Sequence, residues 1–93
     1  MNNKKLNIVR KKIDNLDYRL LNIIKKRTDL VKNVIKLKKY KKQIVDKKRI
    51  KEVLKNIKKL SIKKKIDPRI TQRIWLSMIK SYIEYEKRNF RKK

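Results

Sequence analysis

The sequence predicts an all-α protein of three helices, long, short and medium, on three observations. The 93-residue chain has no glycine and a single proline, Pro68, so the residues that punctuate turns and strands are nearly missing. Its apolar residues recur at spacings that alternate three and four, as on one face of a helix packed on other helices. At 39% of the chain they are also too large and too regularly placed for a disordered tail. Without an internal repeat or a linker, residues 1–93 read as one domain.

The first helix is expected over residues 5–39. Its apolar stripe runs Leu6, Val9, Ile13, Leu16, Leu20, Ile23, then Leu30, Val34 and Leu37, with Arg27 filling the slot between Ile23 and Leu30. At 1.5 Å per residue this helix is about 50 Å long, more than the diameter of a compact chain of this size. The rest of the chain cannot cover such a stripe, so an intertwined homodimer is expected. Lys39 to Val45 lacks helical patterning and reads as a loop. Asp46 is a good N-cap for a second helix carrying Ile50, Val53, Leu54, Ile57 and Leu60, which the run Lys63-Lys64-Lys65 ends. Asp67-Pro68 supplies a cap and a first-turn proline for the third helix. That helix continues through Ile70, Ile74, Trp75, Met78, Ile79, Tyr82 and Ile83 to about Phe90.

Composition excludes several chemistries. With no cysteine and no histidine, the chain has no disulfide, thiolate nucleophile, Cys/His zinc site or imidazole acid–base group. No apolar run reaches the roughly 18 residues of a membrane span, and the N-terminus lacks a signal-peptide core, so a cytoplasmic protein without a membrane partner is expected. Lys plus Arg number 33 against 8 Asp plus Glu, a formal charge of +25. Such a charge suits a polyanion such as RNA, DNA or an acidic membrane surface. It also suits drift toward A/T-rich codons, since the chain is filled with Lys, Ile and Asn and has no alanine. The lysines occur on every helix, and Trp75 and Tyr82 fall on the apolar face instead of beside basic triplets. Nucleic-acid binding is therefore expected to be non-specific, and a dedicated nucleic-acid-binding helical protein is the rival reading. A purely structural coiled-coil partner gives no reason for Arg27 on the stripe.

Charged residues on apolar stripes carry the functional signal. Most such residues snorkel to solvent, but Arg27 sits in mid-helix. Lys38 follows eleven residues later, which returns it to within about 20° of the same direction and about 16 Å along the axis. In the third helix Glu86 follows Trp75, Ile79 and Tyr82 at spacings of eleven, seven and four, again on an apolar face. Arg, Lys and a carboxyl converging on a helical core would form an anion pocket with one hydrogen-bonding group. Arg10 lies seventeen residues before Arg27, about 25 Å away and rotated by about 100°. By spacing alone it is a surface cation, although an antiparallel dimer of the long helices could carry it to the partner's pocket.

The run Val9-Arg10-Lys11-Lys12-Ile13-Asp14-Asn15-Leu16-Asp17, followed by Arg27, Lys38 and Asp46-Lys47-Lys48-Arg49, resembles the all-helical chorismate mutase family. The resemblance extends over residues 6–90 and includes Asp67-Pro68 and the stretch from Ile74-Trp75 to Glu86. It implies an intertwined helical dimer of the type II architecture with two identical sites, each borrowing one arginine. By residue match, Arg10 would be the borrowed arginine and would join Arg27 on the two carboxylates of the substrate. Lys38 would hold a carboxylate and the ether oxygen, and Asp46 and Arg49 would lie near the ring. Glu86 would stand where the family donates a hydrogen bond to the ether oxygen, one turn beyond Tyr82. The rearrangement of chorismate to prephenate is pericyclic and implies no cofactor or metal, which suits a chain without His or Cys.

Two features depart from that pattern. Ile50 follows Arg49 where the mutases usually carry a glutamate for the ring hydroxyl. Here, in the Lys38-to-Arg49 spacing and in Tyr82-Ile83 before Glu86, the chain resembles the isochorismate pyruvate-lyase branch, which makes salicylate and pyruvate from the same kind of dianion. Ile50 also leaves room for a mutase fold kept as a regulator. Secondly, Glu86 must carry a proton to donate. An apolar face resists its ionisation, while a neighbouring Lys38 favours it.

Overall fold

A computed structural model describes residues 3–91, and among them the only regular elements are helical. Helix α1 spans Asn3–Leu37, α2 spans Lys47–Lys63 and α3 spans Pro68–Asn89, with a short 3₁₀ turn over Lys41–Gln43. The order long, short, medium is as the sequence predicts. The chain divides into two compact units, with the boundary between Asn33 and Val34.

The first unit is the greater part of α1. Its apolar stripe stands in the open: Val9, Ile13, Leu16, Leu20, Ile23 and Leu30 are each half or more exposed. Local contacts support the helix along its polar side. Lys25 Nζ donates to Asp29 at 2.7 Å, an i,i+4 pair that holds the Asp29 carboxyl below the usual carboxylate range. Thr28 Oγ1 donates back to the Ile24 carbonyl at 2.8 Å, a back-bond of the kind that slightly weakens a helix.

The second unit begins with the last turn of α1. The helix ends at Leu37, the last residue of the apolar stripe and two residues short of the expected bound, and the next amides turn to the side chain of Gln43. Its Oε1 accepts from the amides of Lys39 and Tyr40, both at 2.8 Å, so these amides have a partner outside the helical ladder. The amide of Lys38, one residue past the helix, still donates to the carbonyls of Val34 and Ile35 at 3.2 Å. The segment read as a loop contains the 3₁₀ turn. Its closing bond, Ile44 N–H to the Lys41 carbonyl at 3.1 Å, accompanies the burial of Ile44 at 4% exposure.

Asp46 caps α2 as expected, accepting the Arg49 amide at 3.0 Å. The other end of α2 is closed by a residue that the sequence does not advertise. Lys65 adopts φ 60°, the left-handed conformation ordinarily given to glycine. Its amide donates to the Ile62 carbonyl at 3.1 Å, and the Ile66 amide donates to the Ser61 carbonyl at 2.9 Å. This is the double bond of a Schellman ending, made here without glycine. Asp67 then caps α3 through the Arg69 amide at 2.9 Å. The Arg69 guanidinium against the same carboxylate holds Asp67 below the usual range, and the Arg69 amide adds to the effect.

Helices α2 and α3 pack on each other. Between them lies a buried hydroxyl pair, Ser61 Oγ and Thr71 Oγ1 at 2.7 Å, and Ser61 also donates to the Ile57 carbonyl. Gln72 Nε2 reaches the Leu54 carbonyl at 2.9 Å. Every buried side-chain polar atom among the described residues has a partner, so this polar packing costs little.

Candidate functional site

The site is best built from Glu86, the one buried carboxylate among the described residues, at 6% exposure. The sequence places it on the apolar face of α3, one turn beyond Tyr82, which is itself half-buried. A carboxylate so enclosed needs a partner. Lys38, forty-eight residues away, provides one: its Nζ donates to Glu86 Oε2 at 3.1 Å, with the lysine side chain only 18% exposed. Two charges singled out because each interrupts an apolar stripe thus meet. In this arrangement Glu86 accepts the hydrogen bond, whereas the ether-donor role assigned by resemblance requires a protonated carboxyl.

Lys38 also borders an open concavity of about 540 Å³, lined with Gln43, Val45, Asp46 and Lys47. The early end of α1 produces this geometry. Because Gln43 draws the chain out of the helix at Lys39, the 3₁₀ turn and the first residues of α2 face Lys38 across a hollow. Lys38, Lys47 and Asp46 are thus the charged residues that line the hollow, and the Oδ1 of Asp46 is committed to the α2 cap. Gln43, Val45 and Lys47 were not among the candidates read from the sequence. Only the Gln43 spacing of three from Tyr40, which suits a capping side chain, could have drawn attention to one of them.

Ile50 is half-buried in the first turn of α2, its amide donating to the Asp46 carbonyl at 3.0 Å. Arg49 is exposed beside it, 4.0 Å from Glu52 across one helical turn. Arg10 and Arg27 lie on α1 in the first unit, Arg10 exposed and Arg27 half-buried. Among the described residues, no group of three or more acidic, His or Cys side chains could hold a metal ion, and no helix is long and apolar enough to cross a membrane.

These features define an all-α protein whose second unit sets a lysine at the edge of an open hollow and braces that lysine with a buried carboxylate. The class becomes specific on comparison with known families. The family model described as chorismate mutase type II matches residues 9–87, a span that contains every candidate residue from Arg10 to Glu86. The chain belongs to the chorismate mutase type II family. Neither a curated protein nor a solved structure matches it.

Proposed function

We propose that the protein converts chorismate to prephenate, with Lys38 as the cation at the reacting ether oxygen. The observation that carries this reading is the Lys38–Glu86 pair at 3.1 Å beside the hollow, within a chain of the chorismate mutase type II family. A pericyclic rearrangement asks little covalent chemistry of a protein. Holding the flexible dianion in its reactive conformer removes an entropic barrier. A fixed cation then stabilises the charge that builds on the ether oxygen as its bond to the ring breaks, and a group in that role is worth about 3–4 kcal/mol.

Lys38 suits this task because it is anchored. Glu86 holds its ammonium at low exposure, so the side chain loses little additional freedom when it meets an anion. Arg27 is proposed to bind one substrate carboxylate. Arg10 is proposed to bind the other from the partner of a homodimer, as the family resemblance implies. The exposed stripe from Val9 to Leu30 supports the dimer, since covering each of these half-exposed aliphatics is worth on the order of 1 kcal/mol. Asp46, Arg49 and Tyr82 are proposed to border the ring, Asp46 from the wall of the hollow.

Ile50 favours a second reading. An aliphatic side chain in the first turn of α2 cannot accept the hydrogen bond of a ring hydroxyl, and elimination of pyruvate from isochorismate, whose hydroxyl lies elsewhere on the ring, would not ask it to. The test is to offer the purified protein chorismate and isochorismate in parallel and to identify the products. Prephenate from chorismate supports the proposal. Salicylate and pyruvate from isochorismate alone transfer the site to the second reading, and no product from either substrate rejects both in favour of a non-catalytic family member.

A further inference from the structure

We propose that the solvent face of α2 is a binding ridge for the phosphodiester backbone of nucleic acid, separate from the hollow beside Lys38. Lysines occur on every helix, but on α2 they are sorted. At 100° per residue, Lys48, Lys51, Lys55, Lys58 and Lys59 fall within a sector about 100° wide and about 16 Å long. All five are exposed. The opposite side of the helix, Ile50, Val53, Leu54 and Ile57 with the buried Ser61, is turned away from solvent, and the helix packs on α3.

The arrangement of acidic residues distinguishes the ridge from a generally basic surface. Asp14, Asp17 and Asp29 interleave with the cations of α1, and Glu84 and Glu86 with those of α3. Between the cap residues Asp46 and Asp67 the single acidic residue is Glu52. It lies at the edge of the lysine sector and is drawn to Arg49, on the side away from the lysines, at 4.0 Å. Among the described residues none of the five lysines makes an ion pair. Five uncompensated ammonium groups repel one another and destabilise the folded chain unless an anion neutralises them.

The matching partner is a linear polyanion. Successive ridge lysines stand about 6 Å or less apart along the axis, which lets one strand of phosphates be followed along the helix. A membrane-surface helix also needs an apolar face free to enter the lipid boundary. In α2 that face is the one turned from solvent, and the exposed aliphatic in the lysine sector, Ile62 at its far end, is no substitute. No aromatic residue stands on α2, so binding runs through phosphates without base recognition.

The experiment measures fluorescence anisotropy of a labelled oligouridylate of about 20 nucleotides, and of the matching oligothymidylate, over a fourfold rise in salt. Five phosphate contacts on a single strand give a slope of about −3.5 in log affinity against log salt, or roughly a 100-fold loss. In the variant carrying Lys51→Gln, Lys55→Gln, Lys58→Gln and Lys59→Gln, the loss across the same range should fall below about tenfold. A control with Lys11→Gln, Lys12→Gln, Lys32→Gln and Lys36→Gln removes the same charge from α1 and should keep the steep dependence. Circular dichroism verifies that both variants are folded, and glutamine preserves helix propensity. Equal losses in the ridge and control variants overturn the proposal in favour of net charge alone. So does tighter binding to vesicles of anionic and zwitterionic phospholipid than to either oligonucleotide.

Discussion

Removing the lysine from the Lys38–Glu86 pair should destabilise the protein more than removing both members together. In Lys38→Met the carboxylate of Glu86 stays at 6% exposure with its cation gone. Leaving one half of a buried pair uncompensated costs about 3–5 kcal/mol. The lower figure applies, because the lysine side chain is 18% exposed and water can follow where it was. For a domain of this size about 3 kcal/mol corresponds to a fall in Tm of about 12 to 24 °C. Glu86→Leu should cost less, since the long Lys38 side chain can turn to solvent once its anchor is gone. The double variant Lys38→Met, Glu86→Leu replaces the pair by apolar side chains of similar size and should return to within about 1 kcal/mol of the native chain. The assay is urea or thermal unfolding followed by circular dichroism at one fixed protein concentration, because the stability of the proposed dimer depends on concentration. If the double variant is as unstable as the sum of the two singles, the residues are uncoupled and the pair does not hold Lys38 in place.

Lys65→Gly should raise stability by about 1 kcal/mol in the same unfolding assay, because glycine takes the φ 60° conformation without the Cβ penalty, whereas Lys65→Val should lower it. Because the folded protein holds the Asp67 carboxyl below its ordinary pKa, its contribution is present above about pH 4 and lost as pH falls through the lower folded value. Asp67→Asn keeps a capping oxygen but not the charge, so its Tm should decline less than that of the native chain between about pH 5 and pH 2. Leu20→Glu places a charge in the exposed stripe of α1 and should convert a dimer to monomer in sedimentation measurements, while the same change at the exposed Asn22, off the stripe, should not.

Much of the fold was legible in the sequence because helices of this length write their period into the apolar residues. The stripe from Leu6 to Leu37 specified α1, and Asp46 and Asp67 stand as the caps that start α2 and α3. The ends of helices were harder. The apolar stripe stops at Leu37, and the expected end at residue 39 overshot it; a glutamine four residues beyond takes the backbone amides there, and periodicity contains no such competition. The Schellman ending at Lys65 was hidden for a related reason: its usual sign is glycine, and this chain has none. For the site, Lys38 and Glu86 were conspicuous as charges on apolar stripes, and the structure joins them. The hollow beside them was not legible, because Gln43, Val45 and Lys47 line it through the path of the backbone and not through any pattern of their own. The sorting of lysines on α2 was obscured by their abundance elsewhere and emerges when the helix is viewed down its axis with its packed face known.

The central claim is that a braced ammonium group, with no covalent help, lowers the barrier to a pericyclic rearrangement. Its most direct test is kcat/KM for chorismate on the native chain and on Lys38→Met at the same pH and salt, below the unfolding temperature of both. Turnover by the native chain with a loss of about 100-fold or more in the variant is the result this account predicts. Equal rates in the two proteins, or no prephenate from the native chain, would contradict it.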